Sequence, residues 1–143
     1  MKGSEGERME AESPHQRHTP ARLIVCGGRD FSDYVRMCEV MDRIAAVRPI
    51  AMVFHGNARG ADSLADRWCR ERGVKVFAVP ADWAKYGKAA GPKRNQAMLG
   101  QGIDLVVAFP GGRGTEDMVK RAHKAGVLVT RAREKSPLRE ASA

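Results

Sequence analysis

Five short apolar runs, each separated from the next by a stretch of helical or polar character, leave this 143-residue chain few folds to choose from. Arg22-Leu23-Ile24-Val25-Cys26 ends at Gly27-Gly28, and Tyr34, Met37, Cys38, Met41, Ile44 and Ala45 then recur at helical spacing. Ile50 to Phe54 makes a second strand. Ala61 to Arg72 follows as a helix, with Leu64, Ala65 and Trp68 on one face and Gly73 as its stop signal. Val74 to Val79 is a third strand, ended by Pro80, and Pro92 suits the first turn of a helix running to about Leu99. Leu105 to Phe109 is a fourth strand, Thr115 opens a helix closed by Gly126, and Val127-Leu128-Val129 is a fifth strand. Strands alternating with helices predict βαβ units on a parallel sheet. The runs are apolar on both faces, as expected when helices cover both sides.

The two ends read differently. Residues 1–21 are polar and predict a disordered tail, and residues 131–143 predict a flexible one, leaving a single domain over 22–130. The formal charge is +8; residues 1–21 contribute −1 and residues 131–143 contribute +2, so +7 lies on the domain. That balance suits an anionic ligand, a nucleotide or nucleic acid, although a solvated arginine-rich surface explains it equally well. No apolar run approaches membrane-spanning length and no signal-peptide core opens the chain, so the expectation is a cytoplasmic protein with no membrane partner. Cys26, Cys38 and Cys69 form neither a CxxC pair nor a zinc pattern, and no metal-ligand spacing occurs elsewhere.

In open parallel sheets ligands bind beyond the carboxyl ends of the strands. Four loops therefore matter. After the first strand, Gly27 and Gly28 permit close backbone approach, Arg29 can clamp an oxyanion, and Asp30 can accept from a ribose hydroxyl or cap the next helix. After the second, Gly56 and Gly60 bracket Arg59, a candidate anion contact, and Asp62 follows in the first helical turn. His55 has no partner in the spacing and reads as structural. After the third comes a long connection over 81–95, where Trp83 and Tyr86 can stack on a base, Tyr86 the better candidate, with Lys85 and Lys88 meeting phosphates. Arg94 and Asn95 sit at the helix start facing the same edge. After the fourth, Pro110-Gly111-Gly112-Arg113-Gly114-Thr115 leads into a helix, a turn whose amides and helix dipole suit phosphate. Glu116 or Asp117 can serve as a general base, although acids in a first helical turn are common without chemistry.

Neither GxxxxGK[ST] nor a complete GxGxxG unit is present, which argues against a Walker-type loop and against dehydrogenase-style NAD binding, and no cofactor is expected.

The motifs GGRDF (27–31), GNARGAD (56–62), GPKRNQAM (91–98) and FPGGRGT (109–115), in this order on this alternation, resemble the YspA/YpsA-related branch of the SLOG superfamily over roughly residues 22–130. The resemblance implies a Rossmann-like three-layer αβα fold with a parallel five-stranded sheet in the order 3-2-1-4-5. It also implies a nucleotide-derived ligand, as in bacterial and phage sensor systems. LOG-type phosphoribohydrolases share PGGxGTxxE and an Arg-x-x-x-Met helix, matched here by Pro110 to Thr115 and by Arg94 and Met98. They hydrolyse nucleoside 5′-monophosphates and build sites across homodimers. On that likeness Arg94, Glu116 and Asp117 are the catalytic candidates, but the motif's terminal acid falls on Met118 here, with Asp117 one residue early. DprA-type proteins share the GxARGID-like segment at Gly56–Asp62 and an Arg-Asn pair like Arg94-Asn95, which implies single-stranded DNA as a third option.

Overall fold

A computed structural model describes residues 19–133. Of the two expected tails, residues 1–18 and 134–143 lie outside the described residues, whereas Ala21 opens the first strand and Arg131 closes the last. The elements in chain order are β1 (Ala21–Cys26), α1 (Tyr34–Val47), β2 (Ile50–His55), α2 (Ala61–Arg72) and β3 (Lys75–Ala78). Then come α3 (Trp83–Tyr86), a 3-10 turn (Gly87–Ala89), α4 (Ala90–Leu99), β4 (Leu105–Ala108), α5 (Arg113–Lys124) and β5 (Leu128–Arg131).

All strand pairs are parallel, and the sheet order is β3-β2-β1-β4-β5, the expected 3-2-1-4-5. Alternation along β1 builds both cores. Leu23 and Val25 face one side with Met37 and Met41 of α1 and Ala65 and Trp68 of α2. Ile24 faces the other with Met98 and Leu99 of α4 and Met118 and Ala122 of α5. A period-2 strand with apolar residues on both faces must be covered twice, and two helices lie on each face. The chain runs from β1 outward to β3 and then returns to β4 on the other side of β1. The crevice between the carboxyl ends of β1 and β4 is therefore the switch point.

Two local expectations are corrected. The connection over 81–95 is not one long loop. Asp82 caps α3, its Oδ1 accepting from Lys85 N–H at 3.1 Å, and the 3-10 turn feeds directly into α4, which starts at Ala90 rather than Pro92. The helix-capping role considered for Asp30 belongs to Asp33, whose Oδ1 accepts from Arg36 N–H at 2.9 Å.

Candidate functional site

Gly28 ties three strand-end loops together. Its N–H donates to Pro110 O at 2.8 Å, and its carbonyl accepts from Ala61 N–H at 3.1 Å. The backbones approach so closely that side chains are excluded. A Cβ on Gly111 would collide with Thr115 Oγ1 and lie 2.7 Å from Gly28 N, and one on Gly28 would lie 2.9 Å from Pro110 O. The glycines thus weld the loops after β1 and β4 side by side at the switch point.

Two helices point their N-termini at this junction, each with a glycine N-cap that offers no side chain, Gly60 for α2 and Gly112 for α5. In α5 the bond from Glu116 N–H to Gly112 O (3.0 Å) is the first of the helix, so the amides of Arg113, Gly114 and Thr115 precede it and have no helical acceptor. The crest is open, because a Cβ on Gly112 or Gly114 would meet nothing within 4 Å. At α2 the chain supplies its own anion. Buried Asp62 accepts through Oδ2 from Gly56 N–H and Ala58 N–H, both at 3.1 Å, and so shapes the loop after β2.

Burial pushes the Asp62 carboxyl above its usual range, against the pull of the two amides, His55 and Arg94. A carboxyl raised in the folded state contributes stability at low pH that is lost as pH rises through its folded value. Asp62→Asn keeps the accepting oxygen and removes the charge. Its stability relative to wild type is expected to improve between pH 4 and pH 8 in urea titrations. Asp62→Ala orphans two loop amides and is expected to cost about 1–3 kcal/mol at either pH.

Over the strand ends lies an open pocket of about 620 Å³. Its wall carries the cations Arg29, Lys88, Arg94 and Arg113 against the acids Asp62 and Asp117. The second acid is also engaged, since Asp117 Oδ2 accepts from Asn95 Nδ2 and Arg121 Nε, each at 2.9 Å. Half-buried Arg94 is both strut and cation. Its Nη1 donates to Gly56 O at 2.6 Å and its Nε to Asn95 Oδ1 at 3.0 Å, which leaves Nη2 without an acceptor among the described residues. Burial lowers its pKa from the usual value, but a guanidinium stays charged. Buried Asn95 reaches on to Gly114 O at 3.3 Å, so α4 braces the crest of the α5 turn. At the pocket wall, burial first and Asp62 second push the Cys26 thiol up to about 12, so it stays protonated at neutral pH.

The pocket brings together Gly27, Gly28, Arg29, Gly56, Asp62, Arg94, Asn95, Gly112, Arg113, Gly114, Thr115 and Asp117. Gly60 and Gly111 stand behind the lining as backbone supports. Asp30 and Arg59 are exposed and outside the lining. Glu116 is also outside it. It is exposed and takes a two-pronged ion pair from Arg131, with Nη1 to Oε2 at 2.9 Å and Nη2 to Oε1 at 2.8 Å, which holds its carboxyl below the usual range. His55 does have a partner. Its Nε2 meets Asp66 Oδ2 at 2.7 Å and its Nδ1 accepts from Asn57 N–H at 3.0 Å, a buried latch on the β2 loop. The two aromatics also exchange places. Trp83 and Lys88 line the pocket, while Tyr86 lies outside it between Lys85 and Lys93 (5.1 and 4.9 Å from the ring centre). Among the described residues no group of three or more His, Cys, Asp or Glu could hold a metal.

The sequence model of the family described as "YspA, cpYpsA-related SLOG family" matches residues 21–86, from β1 through α3. The Gene 61 protein of Mycobacterium phage D29 is 38% identical over 116 residues, which cover 76% of this chain and 93% of that protein. Among solved structures, DNA processing protein A (DprA) from Streptococcus pneumoniae aligns with a TM-score of 0.65 at 20% identity, over 84% of this chain. The alignment spans 52% of the DprA chain, and at that identity the likeness is one of fold.

Proposed function

The chain belongs to the YspA, cpYpsA-related SLOG family, and we propose that its pocket binds a nucleotide or a nucleotide-derived phosphate ligand at the carboxyl edge of the sheet. One observation carries this reading. The uncapped first turn of α5 opens into the pocket beside Arg29, Arg94 and Arg113. Unsatisfied amides at the positive end of a helix dipole, with guanidinium groups alongside, suit a phosphate. Asp62 Oδ1 accepts no hydrogen bond from the described residues and can take a ribose hydroxyl. The volume, about 620 Å³, falls within the range usual for small-ligand pockets.

A thermal-shift screen with AMP, ADP-ribose, NAD and cyclic nucleotides tests the proposal. At least one is expected to raise the melting temperature, since a ligand at a hundred times its Kd stabilises by about 2.7 kcal/mol. No shift with any of them, together with salt-sensitive retention of a single-stranded oligonucleotide, would replace this reading with a nucleic-acid one. Chromatography of the AMP sample for free adenine separates binding from hydrolysis.

A further inference from the structure

We infer that the ligand carries an aromatic base and that Trp83 is the surface on which the base stacks. The inference rests on the phosphate reading above and adds the chemical class of the ligand's other end. Trp83 is 51% exposed although it lines the pocket, whereas Trp68, the other indole, is 1% exposed and donates Nε1–H to Asp42 Oδ1 at 2.9 Å. Trp83 Nε1–H has no acceptor among the described residues.

The chain builds a seat for this ring. Asp82 caps the short helix that presents it, and the indole edge rests on α4 at Gly91, where a Cβ would lie 3.2 Å from Cη2 and 3.9 Å from Cζ2 and Cζ3. Gly91 is therefore the close-approach position that lets the indole edge lie against the helix. An indole fixed at one edge and left half-open over a pocket offers a π-face to a planar partner. Lys88 shares that wall and can meet a second anionic group. A bare sugar phosphate would use the α5 turn and leave the indole idle.

Calorimetry with AMP, GMP, CMP, UMP and ribose 5-phosphate on wild type, Trp83→Ala and Trp83→Phe tests this. Base–aromatic stacking contributes about 1–3 kcal/mol, so the best-bound nucleotide is expected to weaken by roughly 5- to 150-fold in Trp83→Ala. Trp83→Phe is expected to recover part of that loss, with ribose 5-phosphate equally weak on all three proteins. In wild type the nucleotide is also expected to quench Trp83 emission while buried Trp68 continues to emit. Nucleotide and ribose 5-phosphate binding alike, or both falling together in Trp83→Ala, overturns the stacking role and leaves the phosphate reading standing. Failure of all five to bind wild type, with no thermal shift from ADP-ribose, NAD or a cyclic nucleotide, removes the phosphate reading and this inference with it.

Discussion

Gly112→Asp is expected to abolish ligand binding while leaving the fold as stable as wild type or slightly more so. Gly112 is the N-cap of α5, at φ −113° and therefore outside the left-handed region, and a Cβ there meets nothing within 4 Å. Aspartate is among the best N-cap residues, and its exchange with glycine changes stability by only a few tenths of a kcal/mol. Its carboxylate would accept from the amides of Gly114 and Thr115, the same donors that the proposed phosphate needs. The ligand then loses a charge-assisted hydrogen bond, about 1.5–3 kcal/mol, and meets a like charge at its docking point. A fall of roughly a hundredfold or more follows, since each tenfold is about 1.4 kcal/mol. Calorimetry with the nucleotide that passes the thermal screen, beside urea unfolding, reads both quantities. Gly112→Ser is the neutral control and is expected to lose less. Undiminished affinity in Gly112→Asp would move the phosphate away from α5.

Helix α2 shows why the architecture was legible. A parallel strand covered on both faces must be apolar throughout, and a helix over it must carry one apolar stripe, so the two patterns separate cleanly in one dimension. α2 occupies Ala61–Arg72 as read, because Gly60 and Gly73 bracket it and both lie at positive φ. The outer strands were harder to bound. Val74 to Val79 reads as one run, yet the strand spans only Lys75–Ala78, in register with Met52–His55 of β2, and Val79 adds one further bond to His55 O. β5 extends past its apolar run into Thr130 and Arg131, which pair with Val107 and Ala108 of β4. There the partner strand rather than hydrophobicity sets the end.

The site was legible to the extent that it is backbone. Glycines at strand ends point to the carboxyl edge by topology alone, and Gly27, Gly28, Gly56, Gly112 and Gly114 line the pocket. Side-chain partnerships across elements were not legible, because no local spacing encodes them. Asp66 lies eleven residues beyond His55, Arg131 fifteen beyond Glu116, and Asp117 twenty-two beyond Asn95. These partners draw Glu116 toward β5 and engage Asp117 with α4. Arg59 and Arg94 look alike as loop-flanking arginines. Only the packing of α4 against the β2 loop brings Arg94 to Gly56 O and leaves Arg59 exposed.

Met118→Glu, which writes the phosphoribohydrolase-type acid into its motif position, is expected to destabilise the fold by on the order of 3–5 kcal/mol and to create no hydrolase. Thr115, Met118, Val119 and Ala122 form the buried stripe of α5, and Met118 has no exposed surface. Its apolar cluster holds Ile24, Phe54, Met98, Leu99, Val106 and Ala122, with Met52, Ile103 and Val129 among the half-buried side chains packed against it. A carboxylate there trades its hydration shell for these apolar side chains. Burial would raise its folded pKa above the unfolded one, so the loss should be smaller at pH 4 and grow as pH rises. Met118→Leu conserves volume and is expected to cost less than about 1.5 kcal/mol, which separates charge from shape. Urea unfolding at pH 4 and pH 7, with chromatography for free base from AMP, measures both. A Met118→Glu protein of unchanged stability that releases adenine would mean that position 118 faces the ligand rather than the sheet.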